Sequence, residues 1–479
     1  MKTKLKKTKI IATLGPSTED YEVKKRMIEE GVNLFRINFS HADYDKTADQ
    51  IAQIRRISEE LGVYTGILAD LQGPKLRIGR MEENARLKEG EEFILTTEKI
   101  VGDKNRAFVD YLPLPREVHP GETILLDDGK IQLKVVGTDR DQIVRTKVVQ
   151  GGILRSRKGI NLPETAVSVP SLTDKDKRDL EFILNSDVDW LALSFVRKAE
   201  DILYLKQYLK EKGHSDLPVI AKIEKPEAVK NIKDILRAAD GIMVARGDLG
   251  IEMHVEKVPM IQKRIVRLSR KAKKPVIVAT QMMESMTENL IPTRAEVNDV
   301  ANSVMDGADA VMLSGETSVG KHPVEVVKRM TEIIRRVQGA VKFSGKFKSP
   351  SKKDPRFISK IICYYAAETG TDIRAKAITT LTVSGFSAIQ TSAYRPKPYV
   401  YAFTGNKKLL TRLTLYWGVY SFYYNRSVST DETINDIVSV LRREELVDTD
   451  DFVINLTSMP LSERGMVNTM RITKIKPVA

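Results

Sequence analysis

Cysteine is almost missing from this chain. Cys363 is the only one in 479 residues, so neither an internal disulfide nor a thiolate metal cluster can form, and a reducing cytoplasm is the expected setting. Long apolar runs are missing too. The apolar stretch at 10–14 stops at Gly15-Pro16, too short for the apolar region of a signal peptide, and nothing approaches the ~20 residues that cross a bilayer; no membrane partner is expected. Hydrophobic residues make up 42% and charged residues 30% of the chain, a globular composition that excludes collagen-like, mucin-like and wholly disordered chains. At ~150 residues per domain the length predicts roughly three domains.

Acidic residues are outnumbered 64 to 78, leaving a formal charge of +14. Such an excess suits a nucleic-acid partner or an anionic small substrate. Most of it is concentrated in two places: Lys2, Lys4, Lys6, Lys7 and Lys9 precede the first acid, Glu19, and residues 342–360 carry seven basic side chains against Asp354 alone. No aromatic residue stands between the N-terminal lysines to stack on bases. The expectation is a solvated tail and a solvated linker, with no nucleic-acid partner.

One pattern recurs along the chain: a short β-branched apolar run, a loop with polar residues or Gly, then an amphipathic helical stretch. Eight such runs stand at 9–14, 33–39, 65–71, 189–195, 218–223, 241–246, 275–280 and 310–315. Helical periodicity follows them, as at 226–238 with Val229, Ile232, Ile235 and Leu236 on one face, or 294–305 with Val297, Val300, Ala301 and Val304. Eight alternating units predict an α/β fold, a TIM (β/α)8 barrel. After the third run the helical period is lost and short strands alternate, with a hairpin signal at Asp128-Gly129. The expected organisation is a barrel from 1–72 and 171–340, an inserted all-β lid at 73–170, a Lys/Ser/Pro-rich linker at 341–356 and a C-terminal α/β domain at 357–479.

Barrel sites lie at the C-terminal ends of the strands, and polar residues gather there. Arg36, Asn38 and Ser40 alternate with Phe35, Ile37 and Phe39, so the period of two puts the polar three on one face, toward the barrel mouth. Lys222 and Glu224 share that spacing; Arg246 and Asp248 flank Gly247; Thr280, Ser314, Gly315 and Glu316 end the last two runs. Any single pair suits a buried ion pair, but charge at five strand ends is too costly without a ligand to organise it. Glu224 and Asp248 are two hard oxygen donors, too few to enclose calcium and suited to magnesium, which keeps water and substrate oxygens. Arg36, Arg77 and Lys222 around them point to a phosphoryl group held and transferred. The turn Gly247-Asp248-Leu249-Gly250 offers backbone N–H groups to a carboxylate. In the C-terminal region Thr382-Val383-Ser384-Gly385-Phe386-Ser387 is a strand-to-helix turn rich in hydroxyls and N–H groups, either a phosphate cradle or an ordinary helix start capped by Ser384 or Ser387.

The sequence resembles the pyruvate kinase family from end to end, on Ile10-Ile11-Ala12-Thr13-Leu14-Gly15-Pro16-Ser17, Arg36-Ile37-Asn38-Phe39-Ser40-His41, Met243-Val244-Ala245-Arg246-Gly247-Asp248-Leu249-Gly250, Ala279-Thr280-Gln281-Met282, Pro292-Thr293-Arg294-Ala295-Glu296 and Leu313-Ser314-Gly315-Glu316-Thr317. Asp70-Leu71-Gln72-Gly73-Pro74-Lys75 looks most like the bacterial type II branch, which responds to AMP or sugar phosphates. The resemblance implies transfer of the phosphoryl group of phosphoenolpyruvate to ADP, giving ATP and an enolate that is protonated to pyruvate, in a cytoplasmic homotetramer using Mg2+ or Mn2+.

On that resemblance Lys222 neutralises the moving phosphoryl group, Arg36 grips it, Glu224 and Asp248 hold the metal, and Gly247, Asp248 and Thr280 hold the carboxylate and enolate end. Thr280 and Ser314 are both candidates for delivering the proton. Asn38, His41 and Arg77 face the nucleotide and Lys158 reaches over it; for His41 the plainer reading is a polar cap. Asn38, Ser40, Asp70 and the Leu71 carbonyl match a monovalent-cation pocket. Lys75 stands where potassium-dependent relatives have glutamate, so K+ is expected to be dispensable. Thr382, Ser384 and Ser387 match the seat of a phosphorylated effector. The competing expectations are a magnesium-dependent barrel lyase acting on a 2-oxo acid, which needs neither Lys222 beside the metal nor a lid, and a nucleic-acid-binding protein, which rests on net charge alone.

Overall fold

The computed structural model describes residues 5–83, 85–341, 348–426, 429–459 and 466–477. Lys2, Lys4 and residues 342–347 of the expected linker lie outside them. Each of the eight apolar runs contains one strand of a closed parallel barrel: Lys9–Thr13, Leu34–Asn38, Gly66–Asp70, Trp190–Leu193, Val219–Ile223, Gly241–Ala245, Val276–Ala279 and Ala310–Leu313. The first strand closes the ring against the eighth in parallel register, Lys9 beside Ala310. Buried aliphatic side chains fill the interior and the strand–helix layer, which leaves the C-terminal strand ends as the place where a barrel gathers polar groups.

Two helix expectations need correction. The stretch 226–238 is two helices, Pro226–Lys230 and Ile232–Ala238, broken at Asn231, whose side-chain amide donates to the Arg197 carbonyl at 3.0 Å; its apolar positions are buried all the same. The helix Arg294–Asp306 starts at a Thr293 cap whose hydroxyl accepts from the Glu296 N–H, a reciprocal cap with the Glu296 carboxylate. Only Val300 and Val304 of its expected face are buried; Val297 is exposed.

The insertion holds a six-stranded sheet ordered Ile160–Asn161, Thr123–Leu126, Ile131–Thr138, Ile143–Gln150, Glu92–Thr96, Arg106–Phe108. Residues 76–79 hydrogen-bond to both of its edges: Ile78 N–H to the Lys158 carbonyl, and Gly79 N–H to the Phe108 carbonyl. The edges are thereby stitched together around a core of their own, which leaves no open strand. The hairpin at Asp128-Gly129 is present, with Asp127, Asp128 and Gly129 all in the left-handed region (φ 49°, 55° and 84°). One helical turn, Leu114–Glu117, lies within this otherwise β region.

The C-terminal domain is a five-stranded sheet ordered Val419–Tyr423, Tyr399–Thr404, Ala377–Leu381, Phe452–Thr457, Thr469–Lys474, the last antiparallel. Its junction with the barrel overturns the solvated-tail expectation for Lys6 and Lys9. Lys6 and Lys9 are only 1% exposed. Lys6 Nζ donates to Asn33 Oδ1 at 2.8 Å and to the Gly31 carbonyl, and Lys9 Nζ to the Val419 carbonyl at 2.6 Å while lying 3.7 Å above the Tyr420 ring. Carbonyl dipoles and a π-face replace water around these amines. Side chains buried in this way are not available to phosphates of a nucleic acid.

Candidate active site

The second strand presents Arg36, Asn38 and the following Ser40 half-buried and buries Phe35, Ile37 and Phe39, as the period of two requires. Register sets Asn38 beside Asp70 on the third strand. Asp70 is the hub. Its Oδ2 accepts from Arg36 Nε at 2.6 Å and its Oδ1 lies 3.2 Å from Lys222 Nζ, which also lies 3.0 Å from Glu224 Oε1. Arg36 reaches further, to Thr13 Oγ1 at 3.2 Å. The Lys222 ammonium donates to Ser194 Oγ at 2.7 Å, and that hydroxyl donates to the Leu71 carbonyl at 2.7 Å.

Burial acts first on each of these groups and the partners decide the outcome. Desolvation would lower the pKa of Lys222, but Asp70 and Glu224 raise it above the ordinary lysine range. Desolvation would raise that of Asp70, but Lys222 and Arg36 hold it below the usual carboxylate range. Glu224 is raised, because burial and the nearby Asp248 carboxylate outweigh Lys222. Two carboxylates that repel one another in a dry mouth are a setting a divalent cation would relieve. The donor chemistry agrees. Glu224 Oε2 is fixed by the Phe195 N–H at 2.6 Å, whereas the half-buried Asp248 carboxylate has no hydrogen-bond or ion-pair partner among the described residues. No three His, Cys, Asp or Glu side chains among the described residues form a closed cage. Glu224 and Asp248 thus fit a magnesium ion that takes its remaining oxygens from substrate and water.

Asp248 and Gly247 open the helix Arg246–Glu252. Gly247 N–H donates to Thr280 Oγ1 at 2.8 Å, and that hydroxyl donates to the Ala279 carbonyl at 2.6 Å. Thr280 and Gln281 follow the seventh strand with φ of 69° and 50°, a backbone region that β-branched residues rarely occupy and that persists where surroundings over-determine it. Arg246 supplies that constraint. It turns away from the mouth, donating to the Ala279 and Thr280 carbonyls and to Asp299 Oδ1 at 2.7 Å. Glu316 is likewise buried, not a mouth residue: its two oxygens accept from the Ser314 N–H at 2.7 Å and the Met283 N–H at 3.1 Å. Ser314 itself stays half-buried at the end of the eighth strand.

The expected nucleotide residues form two separate pairs. Asn38 and the exposed His41 belong to the barrel, with His41 N–H donating to the Asn38 carbonyl at 3.4 Å. Arg77 and Lys158 belong to the lid: Arg77 Nη1 donates to the Arg157 carbonyl at 3.1 Å, and Lys158 pairs with Asp127 at 2.8 Å. No hydrogen bond or ion pair joins the two pairs. Of the monovalent-cation set, the structure brings Asn38, Ser40, Asp70 and Leu71 together, but Lys75 makes no ion pair with them. Its chain runs against Gly159 and lines a cavity of about 30 Å³ with Asp248 and Glu252.

In the C-terminal turn, Thr382 Oγ1 accepts from the Gly385 N–H at 2.9 Å. Ser387 points inward to Thr380 Oγ1 at 2.5 Å, and Ser384 is exposed. Neither serine caps the helix Phe386–Ala393; Gly385 does, with no side-chain bond. Sequence reading missed Ser194, Phe195 and Thr13. Ser194 had a positional signal, being the polar residue at the end of the fourth run, but a backbone donor such as the Phe195 N–H leaves no mark in a side-chain pattern.

Comparison with known proteins agrees along the whole chain. Residues 5–327 match the family "Pyruvate kinase, barrel domain" and 360–473 match "Pyruvate kinase, alpha/beta domain". The chain is 40% identical over 472 residues to a pyruvate kinase of Thermotoga maritima, covering 98% of this chain and 100% of that protein. It is 41% identical over 478 residues to one of Thermococcus litoralis, covering 98% of each. Against the pyruvate kinase of Geobacillus stearothermophilus identity is 40% over 98% of this chain and 80% of that one. A crystal structure of a pyruvate kinase from Cryptosporidium parvum superposes with a TM-score of 0.91 at 33% identity, covering 98% of this chain and 96% of that one.

Proposed function

The chain belongs to the pyruvate kinase family of phosphotransferases, and from that premise we propose that it moves the phosphoryl group of phosphoenolpyruvate to ADP through the strand-end cluster around Asp70. The observation that carries the assignment of roles is the place of Lys222, a charged ammonium between Asp70 and Glu224 at the ends of two strands that flank Trp190–Leu193. When the phosphorus–oxygen bond of the substrate breaks and a new one forms to the ADP oxygen, Lys222 and Arg36 meet the charge on the phosphoryl oxygens. Glu224 and Asp248 would hold magnesium, which would supply further neutralisation of phosphate charge. Gly247, Asp248 and Thr280 position the carboxylate and enolate end, and Thr280 or Ser314 delivers the proton that completes pyruvate.

Asn38, His41 and Arg77 receive the nucleotide, with Lys158 approaching from the lid. The strand-end lysine also favours this chemistry over a barrel lyase, which has no phosphoryl charge to neutralise. K+ is dispensable on this reading. The Leu71 carbonyl already accepts from Ser194, Asn38 Oδ1 from the Ser40 N–H at 3.2 Å, and Asp70 from Arg36, while Lys75 adds a positive charge to the same loop. The enzyme is a cytoplasmic homotetramer of the type II kind, with a phosphorylated effector at the turn 382–387 met by Ser384, since Thr382 is committed to the Gly385 N–H and Ser387 is turned inward to Thr380.

Coupled pyruvate formation tests this directly. Purified protein with phosphoenolpyruvate, ADP and magnesium should turn over at the same rate with and without K+, and Glu224→Gln should demand more magnesium. No ADP-dependent pyruvate would refute the reaction; many-fold stimulation by K+ would refute the role given to Lys75.

A further inference from the structure

The helix Arg246–Glu252, with Gly247 and Asp248 in its first turn, ends with Glu252, and that end carries the lid. Glu252 is 2% exposed. Its Oε1 accepts two donors from different parts of the molecule: Asn161 Nδ2 of the lid strand Ile160–Asn161 at 2.8 Å, and Lys225 Nζ, next to Glu224, at 2.6 Å. Its Oε2 is buried with no hydrogen-bond partner. One residue earlier, Ile251 meets the lid hairpin; a methyl group at Gly129 would lie 3.8 Å from Ile251 Cγ2. That hairpin holds Lys158 through Asp127, whose N–H also donates to the Gly159 carbonyl at 3.2 Å. One short helix therefore carries Asp248 at its start and the lid's seat at its end, and the seat continues through Lys225 into the Glu224 loop.

Resting on the functional reading above, we infer that Glu252 is a positioning residue which fixes the register between the lid and the two metal-binding carboxylates. A single oxygen shared by Asn161 and Lys225 sets both distances at once, so Lys158 arrives over the nucleotide in register with Glu224 and Asp248, the carboxylates that would hold the metal. A buried carboxylate used solely to stabilise the fold would be expected to satisfy both oxygens. Leaving Oε2 bare costs stability, and its place beside the cavity shared with Lys75 and Asp248 ties that cost to the site.

The lid contact is removed without disturbing the barrel by Asn161→Leu, which keeps volume and deletes the amide. It should raise KM for ADP roughly tenfold, the loss of one hydrogen bond to a charged group, and leave KM for phosphoenolpyruvate within about twofold. Backbone hydrogen exchange at 127–129 and 158–161 should quicken. Asn161→Asp combined with Glu252→Gln reverses the hydrogen bond and keeps one carboxylate for Lys225, so it should recover both readings. A purely structural role would instead lower the melting temperature with no change specific to ADP, and that result, or a swap that fails to recover, overturns the inference. If the native enzyme transferred no phosphoryl group, the functional reading would fail, and exchange in the same variants would still decide whether Glu252 seats the lid.

Discussion

Desolvation alone would drive the Lys222 ammonium toward neutrality, yet Asp70 and Glu224 keep it charged. A cation so held is already oriented when charge develops on the phosphoryl oxygens, so little reorganisation remains for the reaction itself. Lys222→Ala should therefore lower kcat by roughly 10²- to 10³-fold and change KM much less; steady-state kinetics showing near-normal kcat would refute the role. Period and strand-end position make Arg36, Asn38, Ser40, Lys222 and Glu224 legible in the sequence alone. They did not reveal that Arg246 and Glu316 turn away to brace the Thr280 and Ser314 loops. A polar residue at a strand end can face the mouth or the neighbouring loop, and sequence carries no record of which carbonyls or N–H groups lie within reach.

Elements were more legible than their contacts. All eight barrel strands announce themselves by short, mainly apolar runs, because a parallel strand packed on both faces is apolar except toward the end that opens on the site. The break at Asn231 was hidden, since the apolar period continues across it and the cause is a hydrogen bond to Arg197 in another loop. The Thr382–Ser387 turn shows the same limit: its hydroxyls were visible, and their directions were not. It leaves the Ala377–Leu381 strand, which lies between Tyr399–Thr404 on one side and Phe452–Thr457 on the other. The connection leaving that central strand runs toward Tyr399–Thr404, whereas the one leaving Phe452–Thr457 runs the other way, to Thr469–Lys474, and between two such strands the loops separate to leave a crevice for ligands. Of the three hydroxyls only Ser384 is both exposed and uncommitted. A phosphorylated effector at this turn would meet Ser384 first, so Ser384→Glu should abolish activation by AMP or a sugar monophosphate through charge repulsion and leave the basal rate intact. Activation surviving that substitution in a rate assay would move the effector elsewhere.

At the scale of the whole molecule, the barrel and C-terminal domain meet over lysines that sequence alone assigns to solvent. Composition could not reveal this, because the carbonyls that receive them, Gly31 and Val419, lie far away in the chain. Burial lowers the pKa of Lys6 to about 7, and that of Lys7, with Lys397 nearby, to about 8; Lys9 is held well below the ordinary lysine value, by burial and then by Lys6. In the unfolded chain all three keep ordinary lysine values near 10.5. Between about pH 7 and 9 the unfolded state therefore binds protons that the folded state does not, and stability rises with pH, by at most about 1.4 kcal/mol per pH unit for each such group. Below pH 7 Lys6 is protonated in both states and its contribution is constant. Above about pH 9 the sign reverses for other groups: the buried Cys363 thiol is pushed up to about 11, so the unfolded chain releases its proton first and stability is lost. Thermal unfolding should accordingly begin at higher temperature at pH 9 than at pH 7. Falling self-repulsion of a chain with net charge +14 would act in the same direction, and Lys6→Met separates the two. It removes the titrating ammonium while changing the net charge by one, so the rise between pH 7 and 9 should be visibly shallower. An onset temperature that falls over this interval in the native protein, or a slope unchanged in Lys6→Met, would show that the junction lysines remain protonated and that their carbonyl acceptors compensate fully for lost water.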